Sequence, residues 1–455
     1  MSLYKKTSVD GWKPVQLTKK DVKFATWIAF FAWVFAVYDF ILFGTLLPQI
    51  GEHFNWNEIE QAEIATWVAL GGAIITLAIG PLVDKMGRRA GIIFTVGGAA
   101  VCSALTAIGG SWGKSSLIFI RSVAGLGNAE QTVNATYLTE LYTAIDDPEF
   151  NRKKGFVYSL VQGGWPVGAL VAAALTAILL PLIGWQGCFV FAAVPSLFIA
   201  WLARKLKESP QFQVHKHIQV LRKEGREKDA MQVASDYGIE YEDHKSASMV
   251  SAFKGSALRS TLVLGLAFFL NWFAIQIFGV LGTTVITQVH HVSFSNSLII
   301  LILSNIVGYL GYLTHGWLGD RIGRRNTIAL GWSVGGIVFA TMLYCPDNFA
   351  MIVALYSFGL FFLIGPYAAV LFFISESFPT AIRATSGALV ASMGPVGAII
   401  AGLGSTSILS DGGNWQTAAL NFGAIPCFVS GIVMLMARRN TESDKEAYTV
   451  TSAQD

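Results

Sequence analysis

Two ionisable residues stand where water should not reach. Asp39 and Arg121 each lie inside a long apolar run. A carboxyl group among hydrocarbon side chains is pulled two ways: desolvation favours the protonated form, and a nearby arginine favours the carboxylate. A group held between those pulls can bind and release a proton. Arginine keeps its charge, so Arg121 must face a carboxylate or water. The expected partner is Asp39 when the site is empty and a substrate carboxylate when it is full. The bland alternative is a fixed ion pair that ties two helices together. Glu130, in the same run as Arg121, is a third candidate. It is read either as a proton-coupling acid or as a buried, protonated one bonded to a neighbouring helix.

Helical phase sorts the residues near Arg121. At about 100° per residue, Asn128 and Thr132 fall within roughly 20° of it, whereas Glu130 points the opposite way unless glycines bend the helix. Other polar and aromatic groups recur inside apolar runs: Gln162 and Trp165; Asn271, Trp272 and Gln276; Asn305, Tyr309 and Tyr312; and Tyr367. Amides and phenols beside aromatic faces suit a small polar solute in an otherwise apolar site. Each alone is also explained by packing or interhelical bonding.

The elements that must carry these groups follow from composition. The chain has 455 residues, 53% hydrophobic and 13% charged, against roughly 25% charged in soluble domains. Twelve apolar runs are expected to be membrane helices, near 24–47, 62–83, 91–110, 115–138, 155–182, 186–203, 259–283, 295–317, 327–345, 349–373, 384–409 and 415–437. Each is long enough to cross about 30 Å of hydrocarbon, and in lipid the backbone must bond to itself. This predicts an all-α membrane protein of twelve transmembrane helices in two pseudo-symmetric six-helix bundles. Residues 1–23 form an N-terminal tail, 24–204 one bundle, 205–258 a connector, 259–438 the other bundle and 439–455 a C-terminal tail.

With both termini in the cytoplasm, every Lys and Arg except Lys114 and Arg121 falls on the cytoplasmic side, as the positive-inside rule requires. The net charge of +3 is therefore an orientation signal and implies no nucleic-acid partner. The expected location is the inner (plasma) membrane, and the expected unit is a monomer in the bilayer. The lysine-rich start shows no removable signal peptide. Cys102, Cys188, Cys345 and Cys427 lack metal-ligand spacing and read as packing residues, so no cofactor is expected. Within the connector, the charged stretch from Leu221 reads as short amphipathic helices, either a plain tether or part of a gate. His290 and His291 are read as exposed loop histidines.

A long repeat organises the rest. Gly80-Pro-Leu-Val-Asp84-Lys-Met-Gly87-Arg88-Arg89 returns as Gly316-Trp-Leu-Gly-Asp320-Arg-Ile-Gly323-Arg324-Arg325, and Glu140 returns as Glu376, all 236 positions later. One membrane half was doubled, and doubled bundles carry solutes by opening to either side in turn. Asp84 and Asp320 stand where a helix meets the cytoplasm. Glu140 and Glu376 are expected to bond to Arg88 or Arg89 and to Arg324 or Arg325. Such networks would hold the cytoplasmic side shut, or merely orient short loops.

These twin loops resemble the signature loop of the major facilitator superfamily. Arg121-x-x-x-Gly125-x-Gly127, Tyr137-x-x-Glu140 with Arg152, Glu208-Ser-Pro210, and Glu376-Ser-Phe-Pro379 with Arg383 are similar to its sugar-porter and metabolite:proton symporter branches. Tyr38-Asp39-Phe40 with Gly44, and Gly127-Asn-Ala-Glu130, resemble the organic-acid symporters. The resemblance implies the superfamily's twelve-helix fold. It implies an aspartate–arginine couple between helices 1 and 4 in proton symport, and a glutamate near 130. It also implies a cavity lined by helices 1, 4, 7 and 10, which favours Asn271, Gln276 and Tyr367 as contacts. Arg383 joins the gating group with the twin loops.

No nucleotide-phosphate loop, metal cluster or nucleophile–base pair is present in the sequence, so an enzyme is not expected. The leading reading is a secondary transporter that moves a small organic anion with a proton by alternating access. The alternatives are a passive uniporter or proton antiporter for a sugar or other solute and, in another class, a solute-sensing receptor built on a transporter fold.

Overall fold

The computed structural model describes residues 11–145, 160–237, 253, 255–378 and 383–438. The side chains of Asp84, Thr132 and Arg383 lie outside the description, as does Arg152 altogether. Among the described residues there is no strand, and nine helices are long and apolar enough to cross a membrane.

The first three spans are α1 (Lys19–Phe54), α2 (Glu58–Met86) and α3 (Arg88–Gly109). The fourth is broken into α4 (Lys114–Val123) and α5 (Leu126–Ala144). The fifth and sixth form α6 (Gly164–Ala203), which kinks at Gly184, where φ is 66°. The connector holds α7 (Pro210–Lys223) and α8 (Glu227–Asp236). The seventh span is α9 (Gly255–Ala274), a π-turn over Ile275–Val280, and α10 (Gly282–His290). Next come α11 (Phe294–Ile322), α12 (Arg324–Leu343), the pair α13 (Phe349–Ile364) and α14 (Tyr367–Glu376), and α15 (Arg383–Ser410). The last span is α16 (Trp415–Ala419), a second π-turn over Leu420–Ala424, and α17 (Ile425–Met434).

Short polar residues start several of these helices. The side chains of Ser293, Asn348 and Asn414 accept from the backbone N–H of Asn296, Met351 and Thr417. Each satisfies a donor that the helix itself leaves open. At α1, Thr18 and Asp21 bond reciprocally, Asp21 N to Thr18 Oγ1 at 3.2 Å and Thr18 N to Asp21 Oδ2 at 2.8 Å, the logic of a capping box.

The chain folds into two compact units. The first comprises Met1–Phe40, Ile74–Gly168 and Phe189–Lys245. Its core brings small residues together, among them Ala29, Ala32, Ala99 and Ala129. At Gly127 an added Cβ would lie 3.5 Å from Ala99 and 3.7 Å from Ala36. Small residues allow backbones to approach, which is how helices associate where the solvent is as apolar as the side chains. The second unit comprises Ile41–Ala73, Ala169–Cys188 and Ser246–Asp455. Within it Thr283 Oγ1 donates to Thr45 O at 3.1 Å, and Gly402 leaves no room for a Cβ beside Thr66. In both units large apolar side chains face outward, such as Phe119, Ile178, Leu182 and Leu310, as a protein solvated by lipid requires.

The connector carries a packed core of its own. α7 and α8 form a hairpin that buries Val214, Ile218, Leu221, Ala230 and Val233 against each other. Trp12 from the N-terminal segment lies on this hairpin, stacked on His217 at 4.3 Å and edge-on to Tyr237. Val15 N donates to Gln213 Oε1 at 2.8 Å. The amphipathic faces expected near Leu221 are thus satisfied by protein.

Candidate functional site

Asp39 and Arg121 meet. Arg121 Nη1 lies 3.1 Å from Asp39 Oδ1 and 3.2 Å from Oδ2, while Nη2 donates to the backbone carbonyl of Asp39 at 3.0 Å. The residues are 5% and 4% exposed. The Phe189 ring lies under the guanidinium, 5.2 Å from its carbon, where the quadrupole of the π face attracts a cation. The arginine therefore grips both the charge and the backbone of α1. Phe189 carried no sequence signal, being one of 31 phenylalanines.

The expected stripe below Arg121 is altered by a break in the span. Ala124 and Gly125 form a tight turn in which Gly125 N bonds to Ser122 O and Asn128 N to Gly125 O. Such three-residue bonds wind faster than an α-helix, so a phase counted at constant pitch does not carry across. Asn128 is half-buried and Glu130 is fully buried. Neither carboxyl oxygen of Glu130 has a hydrogen-bond partner among the described residues. Gln162 is buried, and Trp165 lies against Trp33 and Phe40 at 5.9 and 6.0 Å, next in the chain to Asp39. A buried amide missed from the sequence, Asn134, donates to Ala29 O at 2.8 Å and ties α5 to α1.

The second unit gathers a different set. Tyr367 donates its hydroxyl to Asn271 Oδ1 at 2.6 Å. The Asn271 Nδ2 group is buried without a partner among the described residues. The rings of Phe268 and Trp332 flank Tyr367, each about 6.0 Å away, and Trp272 packs against Gly394. Gln276 is buried on the π-turn. Asn305 is engaged on its own helix, donating to Leu301 O at 2.8 Å, and Tyr309 is half-buried.

The signature loops repeat in three dimensions. Gly87 and Gly323 both adopt left-handed φ, 102° and 86°, which glycine reaches without strain. Arg88 Nη2 pairs with Glu140 Oε1 at 3.1 Å, and Arg324 pairs with Glu376 in the same way. Arg325 caps the end of the last span through Ala437 O at 3.1 Å. The first loop has an extra member: Glu208 Oε1 accepts from the backbone N–H of Arg88 at 3.0 Å and Arg89 at 3.4 Å. Arg89 and Asp320 are exposed.

Apolar spans, broken helices and buried charges of this kind define a multi-pass membrane transporter. The profile of the Major Facilitator Superfamily matches residues 28–315 and 264–451, and the chain belongs to that family. It is 28% identical over 378 residues to a "Putative metabolite transport protein" of Haemophilus influenzae, covering 79% of this chain and 84% of that one. It is 24% identical over 442 residues to the "Cis,cis-muconate transport protein" of Acinetobacter baylyi, covering 93% and 96%. A solved structure, "Crystal structure of D-xylose-proton symporter", shares the fold with a TM-score of 0.65 at 17% identity, covering 92% of this chain and 98% of that one. The protein is a transporter of small metabolites and no enzyme.

Proposed function

We propose that this transporter carries a small organic anion together with a proton, and that Asp39 and Arg121 couple the two. The observation that carries the reading is the buried pair itself. Arg121 is neutralised by Asp39. An entering carboxylate competes for the same fork. Once Arg121 turns to it, Asp39 is left in an apolar setting that favours its neutral form, so it takes up a proton. Release of the anion returns Arg121 to Asp39 and expels the proton. One anion and one proton thus cross together, and neither form leaves an unpaired charge in the membrane. Glu130 joins the proton path on this reading: an orphaned buried carboxyl is tolerated as the neutral acid far more readily than as an ion. On this reading both termini face the cytoplasm. The muconate transporter among its relatives carries a cargo of the chemistry proposed.

The test is uptake into proteoliposomes loaded with a pH-sensitive dye. A panel of carboxylates, sugars and betaines is offered with and without an imposed pH gradient. A carboxylate that drives proton entry, and accumulates only with a gradient, is the expected result. Should Asp39→Asn still accumulate that cargo uphill on the pH gradient alone, the coupling scheme is wrong.

A further inference from the structure

The outer piece of the seventh span is fastened by groups that the transport scheme does not use. α10 follows the π-turn directly, and π-bulges inside helices are frequent at functional sites and are places where helices kink. At Gly282, the first residue of α10, a Cβ would collide with the Tyr356 hydroxyl. Near this hinge Thr283 Oγ1 bonds to Gly44 O and Thr45 O of α1. At the far end stands His290. Read from the sequence as an exposed loop residue, it is only 4% exposed. Its imidazole bridges two oxygens, Nδ1 at 2.9 Å from Asp347 Oδ1 and Nε2 at 2.9 Å from Met342 O.

Both oxygens are acceptors. A backbone carbonyl has no proton to give, and a carboxylate such as that of Asp347, 65% exposed, is an acceptor only. Both ring nitrogens must therefore donate, which only the imidazolium can do. A neutral ring would set a lone pair against one of the two oxygens.

We propose that His290 is a second proton-binding site, distinct from Asp39 and Arg121, and that its proton latches α10 to the turn between α12 and α13. In the orientation proposed above this latch faces the outside of the cell. Losing the proton frees the end of α10, and the π-turn lets it swing. Among the described residues, Asp347 faces the ring, Tyr344 and Cys345 lie in the same turn, and His291 follows in the chain, exposed and at φ 53°. Tyr356 of α13 stands against Gly282, and α1, bonded to α10 through Thr283, carries Glu52 and His53 at its end. The π-turn, α16 and the first turns of α11, which pack on α10, carry no ionisable side chain.

The experiment measures a distance, so it needs no knowledge of the cargo. Spin labels are placed at Glu52 and Gln288 of the full chain in lipid nanodiscs, with the four native cysteines replaced by alanine. Spectra are taken at a series of pH values from about 5.5 to about 8.5, the range in which histidine side chains change charge. The expected result is one dominant distance in acid and a longer population that rises roughly tenfold in base, the effect of one charge-assisted hydrogen bond. In His290→Gln the response to pH disappears. In Asp347→Asn its midpoint moves to more acid pH. In Asp39→Asn it persists. A distribution that ignores pH, a response intact in His290→Gln, or one lost in Asp39→Asn overturns the proposal. If His290→Gln does not fold, an unmoved midpoint in Asp347→Asn does so by itself.

Discussion

Arg121 uses one nitrogen on both carboxylate oxygens of Asp39 and the other on its backbone carbonyl. A lysine at that position keeps the charge but offers a single point donor on a flexible stem. Arg121→Lys should reach the membrane at normal levels and transport at least about tenfold more slowly, the equivalent of one lost charge-assisted hydrogen bond of roughly 1.5–3 kcal/mol. Initial uptake rates set against the immunoblotted amount of protein check this, and unchanged rates would remove Arg121 from the coupling scheme. Gly87 and Gly323 allow a cleaner comparison. Both hold left-handed φ, so alanine at either carries a strain of about 1–2 kcal/mol. At Gly323 nothing else is near, whereas at Gly87 the new methyl group meets Glu208 and Phe212. Gly87→Ala should therefore melt at lower temperature than Gly323→Ala in the same detergent. Equal melting points would mean that Glu208 does not brace the loop.

At the scale of elements, the N-terminal strap and the connector hairpin act as one body. Trp12 supplies an aromatic face to His217 and Tyr237. Lys207 Nζ holds Gln16 O at 3.2 Å and Asp21 at 2.8 Å. Removing the ring in Trp12→Ala should weaken docking by about 1–2 kcal/mol and speed protease cleavage within the connector roughly tenfold, while Trp12→Phe restores most of the protection. Cleavage at the wild-type rate in Trp12→Ala would show that the hairpin stands without its strap. Acid should loosen the same body. Burial pushes the Asp21 carboxyl up, but the Lys207 ammonium and the Thr18 hydroxyl and N–H together hold it below its ordinary value. A carboxyl depressed in the folded state adds stability above its unfolded value of about 3.9, and that stability is lost as pH falls through the folded value. Docking should thus be insensitive near neutral pH and fail in strong acid, which hydrogen exchange of the strap amides can follow. Asp39 and Arg121 were legible because a charge inside an apolar run needs an explanation wherever it stands. The strap was not, because Trp12 in a polar tail has no partner until the hairpin folds. The break at Ala124–Gly125 and the two π-turns were hidden for another reason: they change the winding of a helix without changing the hydrophobicity that announces it.

For the whole molecule, the 236-residue repeat was the most informative line of sequence, since it foretold two copies of one ion pair at matching positions. Arg88–Glu140 and Arg324–Glu376 are those copies. They are unequal. The first pair is 16% and 9% exposed, the second 27% and 37%, and only the first is backed by Glu208. Screening by water weakens a pair as exposure rises. If both hold one cytoplasmic gate, each contributes to a single two-state equilibrium, and their effects should combine as free energies. Glu376→Gln is then expected to raise the open population by no more than about fivefold, the equivalent of about 1 kcal/mol, and Glu140→Gln by more. The double variant should show the product of the two factors, because the pairs share no side chain and independent contributions add. The readout is labelling of a single cysteine on the cytoplasmic face by an impermeant reagent in inside-out vesicles. A double variant no more reactive than Glu140→Gln alone would mean that only the first loop gates and that its copy merely shapes a turn.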